Sequence, residues 1–428
     1  MAEVSKVIRL LDGATQTVCQ GTDFISRQQR DWRLTVLRTS LDRLATQIVF
    51  PYQSIYIVAL GATATQLGAI NSAGMLAAAI LGPATGWLID KVGAKRIYLA
   101  GIIMLALSYL TYSIAQNWLL ALAAMVTYWL GFSTSIHGCA TICGNCLANR
   151  DRATGMMICE TVGAGLLGMA GPLLGAYLVA RFGGVNVSGI RPLYVVGLGV
   201  TLLTFLLILT QLSDRRGNVK GGSPRDMLSD LLQVVRGGPH LRRWLMIASL
   251  AQLPNAMVFP FSQVYAHQEK GADVAVLGLM VTACAVTSIV FAIPLGRLAD
   301  AVGRKKVLYT TIPLFVISNL VLIWSPSPVF LIVAGILQGF YYIGGPISAA
   351  IERELVPAGQ MGRWIGITRM CKMTVSAGMA FLAGLVWDAI GPQYVFLAFV
   401  GIDILIRMPL LIQMPETLHE RLESKPVA

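Results

Sequence analysis

The sequence predicts an all-α polytopic membrane protein, with twelve transmembrane helices in two six-helix pseudo-symmetric bundles. Three observations carry that prediction. Of the 428 residues, 55% are hydrophobic and 13% are charged, and the mean hydropathy is +0.67. An average soluble protein is about one quarter charged, so this composition argues against a soluble enzyme, and it is too apolar for a disordered chain. Apolar runs of about 20 residues, the length that crosses a hydrocarbon core, recur from end to end. One loop sequence also appears twice, about half a chain apart, which points to two related bundles.

The first 33 residues contain Lys6, Arg9, Arg27, Arg30 and Arg33 and no long apolar core. They read as a cytoplasmic segment rather than a signal peptide. Six spans follow at 34–58, 67–88, 97–115, 119–146, 154–180 and 193–212, joined by short connections. Span five is rich in small residues that suit close helix packing, and its Pro172 suits a kink. The stretch 213–243 breaks the pattern. Its Gly217, Gly221, Gly222, Pro224, Gly237, Gly238 and Pro239 separate a first bundle at 34–212 from a second at 244–414. Within it, Pro224 to Arg236 reads as a short amphipathic helix on the membrane surface. Spans seven to twelve lie at 244–265, 275–296, 307–325, 328–350, 364–387 and 393–413, ahead of a tail at 415–428.

The net charge of +12 comes from 33 basic and 21 acidic residues. Placed on this topology, 25 of the Lys and Arg fall on the side that carries both termini and the central stretch. The opposite side has Arg181, Arg191 and Lys270. Cytoplasmic loops carry the excess of Lys and Arg, so the basic side is expected to be cytoplasmic, in a plasma or bacterial inner membrane. The excess then needs no nucleic-acid partner. Eight ionisable residues remain within spans: Arg38, Asp42, Arg43, Glu160, Arg369, Lys372, Asp403 and Arg407.

The doubled loop is specific. After span two it reads Gly86-Trp-Leu-Ile-Asp90-Lys-Val-Gly93-Ala-Lys95-Arg96, and after span eight Gly296-Arg-Leu-Ala-Asp300-Ala-Val-Gly303-Arg-Lys305-Lys306. The first Gly suits close helix contact and the second a left-handed turn. The Asp can cap a helix or bond to a neighbouring helix end, and the basic pair anchors the cytoplasmic side. Weaker echoes pair Gly131 with Gly339 and Gly175 with Gly384. The pattern resembles the signature loop G-x-L-A/I-D-x-x-G-R/K-R/K of the major facilitator superfamily, with Ala94 where a basic residue is usual.

That resemblance implies a secondary transporter whose halves rock about a site near the midplane. It implies a cavity lined by spans one, four, seven and ten, with spans two, five, eight and eleven forming the contact between halves. It also implies a conformational latch at Gly86, Asp90, Gly93, Lys95 and Arg96 and at Gly296, Asp300, Gly303, Lys305 and Lys306. On the expected cavity helices, Gln53, Tyr56, Tyr128, His137, Gln252, Asn255, Gln338, Tyr341 and Tyr342 are candidate substrate contacts, and a mixed aromatic and polar lining suits an organic compound of moderate size. For each of them, a hydrogen bond between helices is the simpler role.

Ionisable residues inside a span are costly to bury and are candidates for function. Glu160 and Asp42 are candidate proton-coupling groups, although Asp42 also sits four residues from Arg38 at ion-pair spacing. Arg369 and Lys372 are candidate anion-binding residues. Asp403 and Arg407, again four apart, read as a structural pair. The expected partners are a small organic solute, protons and the bilayer, and the chain is expected to act as a monomer. Export of drug-like or amphipathic compounds is favoured by the aromatic lining and by Gly171-Pro172-Leu173-Leu174-Gly175, which looks like part of the family's antiporter motif. Uptake or exchange of an anionic metabolite through Arg369 and Lys372 is the alternative, and a non-transporting sensor a second one. No motif gathers a nucleophile, metal ligands or a nucleotide loop, so neither enzyme activity nor a cofactor or metal is expected.

Overall fold

The structure is a computed structural model and describes residues 27–146, 163–213, 239–356 and 361–416. Glu160, the Pro224–Arg236 segment, and most of the N-terminal segment, central stretch and tail lie outside the described residues. The first half contributes α1 (Arg30–Ala59), α2 (Ala64–Val92), α3 (Ala94–Ile114), α4 (Trp118–Cys146), α5 (Gly163–Arg181) and α6 (Val187–Gln211). The second contributes α7, built from Pro239–Leu250, a π-helical turn Pro254–Val258 and Phe259–Gln268. It continues with α8 (Val274–Val302), α9 (Arg304–Trp324), α10 (Pro328–Leu355) and α11 (Met361–Ala389). It ends with α12, in which a second π-helical turn, Asp403–Arg407, divides Pro392–Ile402 from Met408–Ile412. Ten of the twelve are long and apolar enough to cross a membrane. Of the other two, α1 carries Asp31, Arg33, Arg38, Asp42 and Arg43, and the start of α5 lies outside the described residues.

Several helices run past the spans read from hydropathy, because a helix continues into the polar interface while its apolar run stops. α10 extends to Leu355 and so brings Glu352 and Glu354 into the helix. Local chemistry sets the ends. Thr63 and Gln66 form a reciprocal capping box at the start of α2, and Asp273 and Asn186 cap α8 and α6 through Val276 N and Gly189 N. The π-helical turn of α12 immediately precedes Pro409, whose ring displaces the carbonyl four residues back. Met408 N accordingly bonds back to Asp403 O.

Both copies of the signature loop turn at a glycine with positive φ, Gly93 at 102° and Gly303 at 121°, as the spacing predicts. The first glycine of the second copy does not serve close packing. A Cβ on Gly296 would meet nothing within 4 Å. The weaker glycine echoes are not structural equivalents either. Gly131 packs on α3 and Gly339 on α8, while Gly175 packs on α1 of its own half and Gly384 on α2 of the other.

The halves join mainly through α2 against α11 and α5 against α8. This contact is strongest at the face opposite the basic loops. There one core contains Ile48, Tyr52 and Tyr194 of the first half together with Phe261, Leu277 and Phe396 of the second. Toward the basic face it divides into two. One core holds Trp32, Tyr98, Ile142 and Leu212, and the other Trp244, Ile312, Trp364 and Leu411. The molecule is therefore closed at one face and parted at the other.

Candidate functional site

The space between the parted halves holds a cavity of about 290 Å³, near the lower end of the range for small-molecule sites. α1 supplies Arg43, Gln47 and Phe50, α7 supplies Phe259 and Gln263, and α10 supplies Gln338, Tyr342, Ile343, Pro346 and Ile347. α8 supplies Val281, Cys284, Ala285, Ser288, Ile289, Ala292 and Gly296. Gly296 begins the second signature loop, so the cavity runs from mid-span toward the basic face. Three walls match the expectation. Among the described residues the fourth comes from α8 rather than α4, and α8 also contacts α5 at Gly278.

The rotation of each helix sorts the candidate residues. Gln338 and Tyr342 line the cavity. Gln53, Tyr56 and Tyr128 instead belong to the interior of the first half. Tyr56 OH donates to Tyr112 O at 2.8 Å, Gln53 donates to Tyr112 OH at 3.4 Å, and Tyr112 stacks on Tyr194 with centroids 4.7 Å apart. Tyr128 stacks on Phe132 and borders that same tyrosine cluster. Gln252, Asn255 and Tyr341 form a hydrogen-bonded group inside the second half, with Asn255 Nδ2 at 2.7 Å from Tyr341 OH and 2.9 Å from Gln252 Oε1. Tyr341 meets the cavity only indirectly, through ring contacts with Phe259 and Tyr342. The side chain of His137 lies outside the described residues.

The ionisable residues divide in the same way. Arg38 and Asp42 form an ion pair at 3.5 Å, with the Arg38 guanidinium 4.9 Å from the Tyr98 ring centre. Asp403 and Arg407 pair at 3.0 Å within the π-helical turn. Lys372 pairs at 3.1 Å with Glu352, a residue that the hydropathy reading left in a loop. Neither Lys372 nor Arg369 lines the cavity, and among the described residues the cation there is Arg43. Of the residues in the wall, Arg43, Gln47 and Gln263 were visible in the sequence as polar groups within spans. Cys284 and Ser288 carried no such signal on a helix assigned to packing.

The two signature loops brace their own halves. Lys95 Nζ donates to Leu209 O at 3.2 Å and Leu212 O at 2.5 Å, the open end of α6. Lys305 Nζ does the same at the end of α12, through Ile412 O at 2.9 Å and Met414 O. These carbonyls have no partner within their helices, so the lysines satisfy them. Glu416 caps the start of α9 by accepting from Arg304 N at 3.1 Å. Asp300 is 72% exposed and pairs with Arg304 at 3.6 Å, and Arg304 reaches Glu354 at 2.6 Å. With the basic face parted, Asp300 makes its pair within its own half. The surroundings of Gly86 and the side chain of Asp90 lie outside what is described, and Arg96 and Lys306 are exposed.

A hydrogen-bonded contact that the sequence did not suggest closes the opposite face. Asp388 of α11 accepts from Thr65 N, at the start of α2, at 2.8 Å, and Thr65 Oγ1 donates to Gly384 O at 3.3 Å. Tyr52 OH of α1 donates to Val274 O of α8 at 3.0 Å. Gly68 and Gly384 let the backbones approach. A Cβ on either would lie 2.4 Å from a carbonyl oxygen of the other half.

Two six-helix halves meeting along these four helices around a central cavity match the sequence profile of the Major Facilitator Superfamily, which covers residues 37–271 and 245–426. This chain belongs to that superfamily. It is a multi-pass membrane transporter of a small-molecule substrate. A curated relative, the "Multidrug resistance protein MdtG" of Dickeya zeae, is 28% identical over 325 residues, 73% of this chain and 76% of the relative. Among solved structures, the nucleoside transporter NupG covers 90% of this chain and 100% of its own, with a TM-score of 0.70 at 14% identity. The human organic anion transporter TETRAN covers 90% and 99%, with a TM-score of 0.64 at 19% identity. At these identities the structural likeness of this superfamily member to both concerns the fold.

Proposed function

We propose that this transporter exports drug-like, amphipathic compounds by alternating access and that a proton gradient drives it. The observation that carries this reading is the cavity. It is walled mainly by aromatic, aliphatic and amide side chains and extends to Gly296, at the start of the second basic loop. On the positive-inside rule that face is cytoplasmic, with both termini, so the cavity stands where an exporter loads. Similarity to a protein named for multidrug resistance points the same way. The halves would then close the basic face, where Asp90 and Asp300 could latch, and open the face now held by Thr65 and Asp388. In this reading one chain suffices, because the cavity lies within a single chain.

Among the described residues Asp42 is the candidate proton carrier, and Arg38 beside it supplies the charge that a proton would release it from. Glu160 remains a second candidate. The test is efflux from proteoliposomes under an imposed pH gradient. Asp42→Asn is expected to abolish pH-driven accumulation while leaving downhill exchange of the same compound. Undiminished pH-driven accumulation in Asp42→Asn and in Glu160→Gln would remove proton coupling at both sites. Cys284 offers a separate check on the cavity: a transported compound is expected to slow its labelling by a small thiol reagent.

A further inference from the structure

Three glutamines from three different helices each present a buried amide atom without a partner among the described residues: Oε1 of Gln47, Oε1 of Gln263 and Nε2 of Gln338. All three residues line the cavity between the halves. Gln263 and Gln338 are 4% and 2% exposed, so they are built into the protein rather than resting on its surface. Gln263 Nε2 donates to the Met280 sulfur at 3.9 Å, a weak acceptor. A buried amide left unmade costs about 1–3 kcal/mol, and an apolar side chain of the same shape would avoid that cost. The residues that bear these atoms line the cavity, so a bound ligand could complete the amides once the side chains turn toward it.

Charge adds a second, independent feature. Arg43 is exposed to the cavity and has no side-chain partner among the described residues. No carboxylate lines the cavity among those residues. Asp42, its chain neighbour, is committed to Arg38. The aromatic walls are Phe50, Phe259 and Tyr342. Among the described residues an organic cation would meet the positive charge of Arg43 and no counter-charge. An anion would meet a guanidinium, which forms paired charge-assisted hydrogen bonds with carboxylates and phosphates.

We propose that the cavity selects compact aromatic compounds that are anionic or neutral and hydrogen-bonding, and that it discriminates against organic cations. An acidic group is held at Arg43, and amide or hydroxyl groups pair with Gln263 and Gln338. The volume of about 290 Å³ suits a ligand of one or two fused rings. This rests on the cavity being the substrate site, and it adds which drug-like compounds the transporter takes.

The test uses the full-length transporter in proteoliposomes and three probes with one ring system: naphthalene carboxylate, naphthalene carboxamide and naphthylmethylammonium. Binding is expected to be tightest for the carboxylate, weaker for the carboxamide and weakest for the ammonium compound. Arg43→Gln should lower the carboxylate-to-carboxamide affinity ratio about tenfold or more. Gln263→Leu and Gln338→Leu should weaken carboxamide binding and at the same time raise the melting temperature of the empty protein. A purely structural role for these glutamines would lower it. The proposal is overturned if the ammonium probe binds as well as the carboxylate, if Arg43→Gln leaves the ratio unchanged, or if none of the three binds. Selective binding without export of any probe would instead count against the export reading alone.

Discussion

The two ends of this transporter are held by different chemistry. At the face opposite the basic loops, the halves share one apolar core, and their backbones touch at Gly68 and Gly384. At the basic face each half has its own core, and Lys95, Lys305 and Arg304 are engaged inside their own halves. Lys95 is tied to α6, Lys305 to α12, and Arg304 to Glu354. Among the described residues the closed end thus rests on van der Waals contact and a few neutral or helix-end hydrogen bonds, and the ion pairs stabilise each half by itself. An alternating transporter needs a closed end that can be reopened, and close glycine contacts can part without leaving a buried charge behind.

The largest expected effect comes from breaking the closed end. Gly68→Leu puts a side chain where a Cβ already lies 2.4 Å from Ala380 O, so the halves cannot close there. Transport should be lost while the protein still inserts and purifies. Paired spin labels across the two halves should show the opposite face further apart, and an unchanged distance would refute the comparison. Next in size is the bracing of the halves. Lys305→Ala removes two bonds to the open end of α12 and should cost about 1.5–3 kcal/mol of stability, read as a lower melting temperature. Lys95→Ala should do the same through α6. Little change in either variant would mean that the loops do not brace the halves. The smallest effect belongs to Asp388→Ala, which removes one acceptor at the start of α2. A loss of about 1 kcal/mol should shift the balance between the two open forms roughly fivefold toward opening of that face. Cys284 labelling from the basic face would fall accordingly.

Much of the fold was legible because hydropathy reports a physical need. A span must be apolar over its length whatever surrounds it. The signature loop was legible for a similar reason, since Gly93 and Gly303 are required by a backbone conformation that other residues rarely adopt. The cavity was less legible. Tyr56 and Gln338 look alike in sequence, as polar residues on a helix expected to line a cavity. One is fully buried against Tyr112 and the other faces the cavity. Lys372 resembled an anion site until α10 proved long enough to bring Glu352 beside it. The glycine echoes show the same limit, because Gly175 and Gly384 match in spacing yet pack on helices that are not counterparts.

By itself, the sequence determined that the chain crosses a membrane repeatedly, that it has two related halves, where the basic loops fall and where the doubled turn bends. Each of these depends on composition or on local backbone geometry. The tertiary structure decided which face of each helix meets the cavity and which lysines find carbonyls. It also decided which glutamines are left waiting for a partner. Adjacent residues on a helix point about 100° apart, so those choices depend on how each helix is rotated and tilted against its neighbours. Only packing among all twelve sets those angles.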